Sequence, residues 1–98
     1  MPPRHPCVYI MTNKPRGTLY IGVTGWLLHR ATQHREGTVP GFTSRYHLTR
    51  LVWIEHHGDF QSAIRRETCL KRWNRMWKIE LVESGNPEWR DLYEEIVP

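Results

Sequence analysis

The feature that most constrains this chain is a predicted strand with a glycine in its interior, "TLYIGVT" at residues 18–24. A first apolar run, "CVYIMT" at residues 7–12, precedes it across the Pro/Gly turn "NKPRG", and the pair predicts an antiparallel hairpin. Because side chains alternate along a strand, the β-branched residues share one face, and Tyr9 and Tyr20 share the other. Gly22 has no side chain to pack, so we interpret it as a gap where a phosphate or another backbone can approach the sheet.

The remainder of the chain predicts one further strand and four helices. The expected elements are a helix at 26–35, a loop at 37–48, a strand at 50–56, a helix from Phe60 capped by Asp59, a second helix after a break near Trp73 and Asn74, and a C-terminal helix at about 86–97 with Asn86 as its N-cap and Pro87 at its first position. This order, β-β-α-β-α-α-α, predicts an α+β fold with a three-stranded antiparallel sheet flanked by helices. Residues 1–98 are expected to form a single domain.

The charge of the chain is divided unevenly along its length. Residues 1–78 hold 13 Lys and Arg against 4 Asp and Glu, a net charge of +9, whereas residues 79–98 hold one Arg against six acids, a net charge of −5. A basic body predicts a polyanionic partner such as DNA, although a solvated surface of mixed charge explains the composition equally well. The basic candidates for contact with DNA are Arg35, Lys71, Arg72, Arg75 and Lys78.

Two further observations concern the compartment of the protein. Cys7 and Cys69 lie in apolar patterns and do not have a metal-binding spacing, so both are expected to be buried free thiols. No apolar run approaches the ~20 residues that span a membrane, and the N-terminus has no apolar segment of signal-peptide length. We therefore expect a cytoplasmic protein that contacts no membrane and carries no small-molecule cofactor.

Glu67 breaks the pattern of its predicted helix. It lies three residues after Ile64, four after Ala63 and three before Leu70, which together define the apolar stripe. A carboxylate is rarely buried without a partner, because an unpaired buried charge is strongly destabilising. The position therefore predicts a cation beside it, either an Arg or Lys in a structural ion pair or a bound metal. Mg²⁺ suits a single carboxylate, because this ion fills its other positions with water and phosphate oxygens.

Arg30 and His34 lie four residues apart on the first predicted helix, so their side chains project from one face. This helix follows directly on the strand that carries Tyr20. An arginine beside a metal carboxylate can bind a phosphate and offset the charge that develops in a transition state. Two solvated surface residues are the alternative interpretation, but together with Tyr9, Tyr20 and Glu67 they form a set suited to phosphodiester hydrolysis.

In this order, "CVYI", "LYIGVT", Arg30 with His34, and "AIRRETCLKRW" resemble the GIY-YIG nuclease domain, and most closely its small stand-alone bacterial members, over about residues 6–83. The resemblance places Tyr9 in the first motif of the family and Tyr20 and Gly22 in the second. It implies that Arg30 faces the phosphate, that His34 fills a position where the family has His or Tyr, and that Glu67 is the metal ligand.

The chain also departs from the family pattern. Its first motif, "CVY", lacks the glycine, and Val23 stands where some relatives have a lysine. Family members use an asparagine beyond the metal glutamate, and Asn74 and Asn86 are both candidates for that polar residue.

The resemblance implies metal-dependent hydrolysis of DNA phosphodiester bonds, with Mg²⁺ or Mn²⁺ as the cofactor, in DNA repair or recombination. We expect water to attack the phosphorus in line with the leaving 3′ oxygen while Arg30 offsets the added charge. Either Tyr9 or Tyr20 would take the proton from water, and the residues leave that choice open. Two alternatives remain: a catalytically silent nucleic-acid-binding module with the same fold, and an enzyme that cuts RNA.

Overall fold

The computed structural model describes residues 5–38 and 41–98, and its centre is a three-stranded antiparallel sheet. Strand β1 (Cys7–Thr12) lies between β2 (Leu19–Thr24) and β3 (Arg50–His56), so β2 is an edge strand. The hairpin and the third strand are therefore confirmed, as is the predicted α+β class.

Five helices flank the sheet in the described part of the chain. They are α1 (Leu27–Glu36), α2 (Phe42–Arg45), α3 (Phe60–Arg72), α4 (Arg75–Gly85) and α5 (Tyr93–Ile96). Helices α3 and α4 pack on one face of the sheet, whereas α1 and α5 pack on the other, each layer burying its own apolar cluster. None of the described helices is long and apolar enough to cross a bilayer.

The register of the hairpin explains which side chains meet. Ile10 pairs with Ile21, and these residues face α3 and α4 in one core cluster. Tyr9 pairs with Gly22 and Met11 with Tyr20, so the two tyrosines lie on the opposite face, toward α1. Their ring centroids are 6.3 Å apart, which confirms the expected approach of the two phenols.

The predicted helix boundaries in the middle of the chain are confirmed by capping contacts. The Asp59 side chain accepts a hydrogen bond from the backbone N–H of Ser62 at the start of α3. Trp73 adopts an extended conformation that ends α3, and the Asn74 side chain caps α4 by accepting from the Trp77 N–H. The predicted break near Trp73 and Asn74 is therefore the end of α3 and the beginning of α4, not a kink within one helix.

Two predictions about irregular regions were wrong. The expected loop at 37–48 contains the short helix α2, which begins after Gly41, a residue with φ of 103°. The expected C-terminal helix at 86–97 is reduced to α5, and the chain reverses before it through Trp89, which has φ of 58°. An Asn-Pro pair can begin a turn as well as a helix, and Asn86 and Pro87 begin a turn here.

Asn86 ends α4 instead of starting another helix. Its buried side chain donates to the carbonyl oxygens of Val52 and Arg90, at 3.1 and 2.9 Å, and accepts from the N–H of Arg90. These bonds tie the reversed C-terminal segment to β3. Asn74 and Asn86 thus both have structural partners that account for them without a role in a catalytic site.

Two further expectations on side-chain burial require correction. Cys7 is buried as predicted, but Cys69 is exposed, and the Ile64 side chain beside it on α3 is 50% exposed. The buried stripe of α3 is narrow, because the helix packs on the sheet mainly through Ala63 and Leu70.

Candidate active site

Tyr9 lies over Gly22 on the face of the sheet that α1 covers. A β-carbon built on Gly22 would lie 2.5 Å from both the ζ-carbon and the hydroxyl oxygen of Tyr9, far inside contact distance. The glycine is required because the tyrosine ring occupies the space that any side chain would fill. The gap that we expected to be open to a phosphate is therefore closed by the phenol, which corrects our interpretation of Gly22 as a DNA-contact residue.

A buried chain of hydrogen bonds begins at the Tyr9 hydroxyl. It lies 3.0 Å from Nε2 of His34, and Nδ1 of His34 lies 3.1 Å from the Thr43 hydroxyl. All three residues are buried, Tyr9 to 2% exposure. Strand β1, helix α1 and helix α2 each supply one member, so three separate elements fix the orientation of the Tyr9 phenol.

Burial and neighbouring charge both act on this pair of titratable groups. Burial, followed by the Tyr20 phenol beside it, raises the pKa of Tyr9 far above its ordinary value, although Arg30 acts in the opposite direction. Burial and then the positive charge of Arg30 lower the pKa of His34. Near neutral pH the pair is therefore a protonated phenol and a neutral imidazole, joined by a hydrogen bond.

Tyr20 and Arg30 complete the cluster on this face. The Tyr20 ring lies 5.7 Å from the His34 ring and is more exposed than Tyr9. Arg30 lies one turn before His34 on α1 and is close enough to influence the pKa values of both Tyr9 and His34. The structure thus brings together Tyr9, Tyr20, Arg30 and His34, as the sequence predicted.

Glu67 lies on the other face of the sheet. Its helix, α3, packs through Ala63 and Leu70 on the side away from Tyr9. The Glu67 side chain is 17% exposed, and its carboxylate forms an ion pair with Nζ of Lys71 at 3.6 Å. The cation that the sequence required is therefore present as a lysine one turn later, which is one of the two alternatives we left open.

A single divalent cation remains compatible with Glu67. Among residues 5–38 and 41–98, no group of three or more His, Cys, Asp or Glu side chains is arranged to hold a metal. A metal at Glu67 would thus have one protein carboxylate and would take its other ligands from water and a phosphate. That donor set fits Mg²⁺, which is often held by one or two carboxylates and by substrate phosphates, and does not fit a closed zinc site.

Some of the predicted DNA contacts have structural partners. The Arg35 guanidinium forms an ion pair with Asp91 and lies 4.4 Å from the Tyr93 ring centroid, and thereby attaches α5 to α1. Arg75 donates to the carbonyl oxygens of Arg16 and Gly17 in the β1–β2 turn. These contacts explain both arginines without a nucleic acid.

The other basic candidates lie on helices α3 and α4. Lys71 is paired with Glu67, Arg72 is exposed near the end of α3, and Lys78 is half-buried on α4. The structure does not bring these side chains into contact with the tyrosine cluster. They remain candidates for long-range attraction of a polyanion.

Sequence reasoning missed the residues that α2 contributes. Thr43 orients His34 from within this helix, and Phe42 stacks on Tyr20 with a centroid distance of 6.5 Å. A four-residue helix has no apolar periodicity, so "FTSR" looked like loop. The one available signal was an aromatic residue between glycine and polar residues, a pattern too common to be informative.

We expect the stability of the protein to fall on acidification through His34. The pKa of His34 is lowered in the folded state from its ordinary value of 6.5, so below about pH 6.5 the unfolded chain binds the additional proton. The unfolding free energy from denaturant titrations should therefore decrease as the pH falls from 7 to 5. In His34→Gln, this decrease should be smaller.

The exposed histidine of the same helix provides the control. His29→Gln removes an imidazole that stacks on Trp26 at the surface, and this variant should retain the pH dependence of the wild type. An equal pH dependence in the wild type and in His34→Gln would contradict the assignment of His34 as a buried neutral imidazole.

Comparison with known proteins supports the family resemblance. A family model described as the GIY-YIG catalytic domain matches residues 5–80. A "UPF0213 protein" of Bacillus cereus (strain ATCC 10987 / NRS 248) is 28% identical over 81 residues, which cover 83% of each chain. No solved structure matches this chain. The matched span contains all three strands and all the predicted catalytic and metal-binding residues, from Tyr9 to Glu67.

Proposed function

This chain belongs to the GIY-YIG family of nucleases, and from that membership and its site we propose that it is a metal-dependent endonuclease that hydrolyses DNA phosphodiester bonds. The observation that supports this most strongly is the cluster of two phenols, an imidazole and a guanidinium beside the edge strand β2. These four polar side chains come from three separate elements, β1, β2 and α1, an arrangement that packing alone does not require.

Arg30 binds the scissile phosphate in this proposal. A guanidinium offers two parallel N–H donors to phosphate oxygens, and its charge offsets the negative charge that accumulates as water attacks. Arg30 lowers the pKa of Tyr9 and of His34, and this influence of its positive charge on both groups supports the role.

The two tyrosines have different roles in our proposal. Tyr9 is buried and its pKa is raised, so it stays protonated and acts as a hydrogen-bond donor or positioning group. Tyr20 is more exposed and lies on the edge strand, where attacking water has access. We therefore assign proton removal from water to Tyr20, which would act in its phenolate form and become a phenol as water attacks, and the orientation of that side chain to the Tyr9–His34–Thr43 chain.

In this proposal, Glu67 reaches the same edge from the opposite face. Helix α3 packs beside β2 as well as β1, and an edge strand leaves no neighbouring strand to separate the two faces there. A cation held by Glu67 would polarise the phosphate and stabilise the leaving 3′ oxygen. Lys71 would then be displaced from the carboxylate toward the phosphate backbone, where its charge is also favourable.

We propose DNA repair or recombination in the cytoplasm as the setting of this activity. A catalytically silent nucleic-acid-binding module and an RNA nuclease are the outcomes against which the proposal is tested.

The test is a cleavage assay on supercoiled, single-stranded and branched DNA and on RNA, each with Mg²⁺, Mn²⁺ or a chelator. We expect metal-dependent cutting of DNA, with products that carry 5′-phosphate and 3′-hydroxyl ends because the 3′ oxygen leaves. Salt-sensitive binding without cutting under any metal condition would favour the silent module. Cleavage of RNA alone would replace the proposed substrate.

A further inference from the structure

Aromatic side chains continue outward from the candidate active site along helix α2. The Phe42 ring stacks on Tyr20 with 26° between the ring planes, and the Tyr46 ring follows at 4.8 Å from Phe42. The guanidinium of Arg45 lies over Tyr46 at 5.7 Å. We call Tyr20, Phe42 and Tyr46 the aromatic ladder.

The outer members of the aromatic ladder are both exposed to solvent. Phe42 is 47% exposed and Tyr46 is 44% exposed, and neither belongs to the core clusters of the described residues. Single exposed aromatic side chains are common, but here two of them lie in line with a phenol of the candidate site. Because α2 also carries Thr43 inward to His34, one short helix connects the ladder to the buried hydrogen-bond chain.

We propose that the aromatic ladder is a subsite that stacks an unpaired base of the nucleic acid next to the scissile phosphate. The inference rests on the proposed nuclease function and specifies the form of its substrate. Every base presents a flat π-surface, and aromatic side chains bind single strands by stacking without reading sequence. In a paired duplex both surfaces of a base are covered by its neighbours, so the ladder selects strands with unpaired nucleotides.

Charge around the ladder favours a nucleic acid over a protein segment as the occupant. Arg45 flanks the outer end of the ladder, and Arg30 lies one turn before His34, whose ring is 5.7 Å from Tyr20 at the inner end, so phosphates on either side of a stacked base would meet positive charge. The acidic groups of the chain are concentrated in its last twenty residues and not in α2. This arrangement combines a stacking surface with flanking cations, as single-strand-binding surfaces do.

The test measures binding in a chelator, where no cutting occurs. A single-stranded oligonucleotide and the matching duplex, each with one 2-aminopurine, report stacking through fluorescence quenching and affinity through titration. We expect Phe42→Ala and Tyr46→Ala each to weaken single-strand binding about tenfold or more while duplex binding changes little, since one stacked base contributes ~1–3 kcal/mol. Phe42→Trp, which restores an aromatic face, should recover most of the affinity and the quenching.

The controls separate stacking from folding and from the catalytic proposal. Trp26 is 47% exposed but lies at the start of α1, outside the ladder, so Trp26→Ala should bind as the wild type does. Phe42→Leu keeps apolar volume without an aromatic face and should resemble Phe42→Ala.

Two results would overturn the proposed role of the aromatic ladder. One is wild-type affinity for the single strand in both alanine variants, and the other is an equal loss of affinity for the single strand and the duplex. Quenching that depends on Phe42 in a protein that cuts nothing with Mg²⁺ would refute the nuclease proposal alone. Cutting by a protein whose binding is indifferent to Phe42 and Tyr46 would refute the ladder alone.

Discussion

Glu67→Gln should reduce metal-dependent DNA cleavage by at least about 10²–10³-fold, the usual loss when one group that stabilises transition-state charge is removed. The amide keeps the size of the side chain but carries no charge, so it binds a divalent cation poorly. DNA affinity should stay the same or increase slightly, because a negative charge is removed. Stability should change by only about 0.5 kcal/mol or less, since the interaction that is lost is a single i,i+4 ion pair and the Lys71 side chain that loses its partner is 53% exposed.

The matched control is Glu80→Gln on helix α4, which removes the same charge from an exposed carboxylate away from α3. Single-turnover cleavage with excess enzyme separates the chemical step from binding. Cleavage by Glu67→Gln at the wild-type rate, with Mg²⁺ present, would show that Glu67 serves only as the ion partner of Lys71.

Gly22→Ala should both destabilise the protein and suppress cleavage. The new methyl group would lie 2.5 Å from the ζ-carbon and hydroxyl of Tyr9, and that ring is held by burial and by its hydrogen bond to His34. The ring must shift or the strands must separate, so we expect a loss of about 1–3 kcal/mol in unfolding free energy. Because the shift breaks the Tyr9–His34 contact, activity should fall even under conditions where the variant is fully folded.

Gly85→Ala is the control for this substitution. A β-carbon there meets nothing within 4 Å at the end of α4, so stability and activity should stay near wild type. A double-mutant cycle locates the cause: in a Tyr9→Leu background, adding Gly22→Ala should cost much less than it does in the wild type. Equal costs in the two backgrounds would mean that the strain arises elsewhere.

The sequence predicted the hairpin, its register and the tyrosine pair because strand alternation leaves few choices. A shift of one residue in the pairing of β1 with β2 would have placed Ile10 and Ile21 on opposite faces of the sheet, and only one of them could then lie in the core cluster they share. The start of α3 was also predictable from its Asp59 cap, and a break was predicted near Asn74, which the structure shows to be the cap of α4. Local side-chain chemistry determined each of these features.

The predictions that were wrong concern features that depend on tertiary contacts. Gly22 was correctly singled out, but which group fills the space over it depends on the rotamer of Tyr9, which the sequence does not reveal. The sequence at Asn86 is compatible with both a helix N-cap and a turn, and the hydrogen bond from its side chain to β3 stabilises the turn. The predicted apolar stripe of α3 included Ile64, which is exposed, because the sequence does not show how the helix is rotated on the sheet.

The sequence predicted that Tyr9, Tyr20 and His34 lie close together, but it did not predict on which face of the sheet Glu67 lies. Tyr9, Tyr20 and the α1 residues lie on one face of the sheet, whereas Glu67 lies on a helix that covers the other face. Groups on opposite faces can act on one phosphate only where a strand has a free edge, and β2 provides that edge. The central claim is therefore that Arg30 and Glu67 serve the same scissile phosphate across β2.

The most direct test of that claim is the single-turnover rate of cleavage of one DNA substrate with Mg²⁺ by the wild type, Arg30→Ala, Glu67→Gln and the double variant. Residues that act on the same phosphate have strongly non-additive effects. We predict that the wild type cuts only with metal, that each single variant loses nearly all activity, and that the double variant is no slower than the slower single variant. Full activity in either single variant, or losses that multiply in the double variant, would contradict a shared site at the edge of β2.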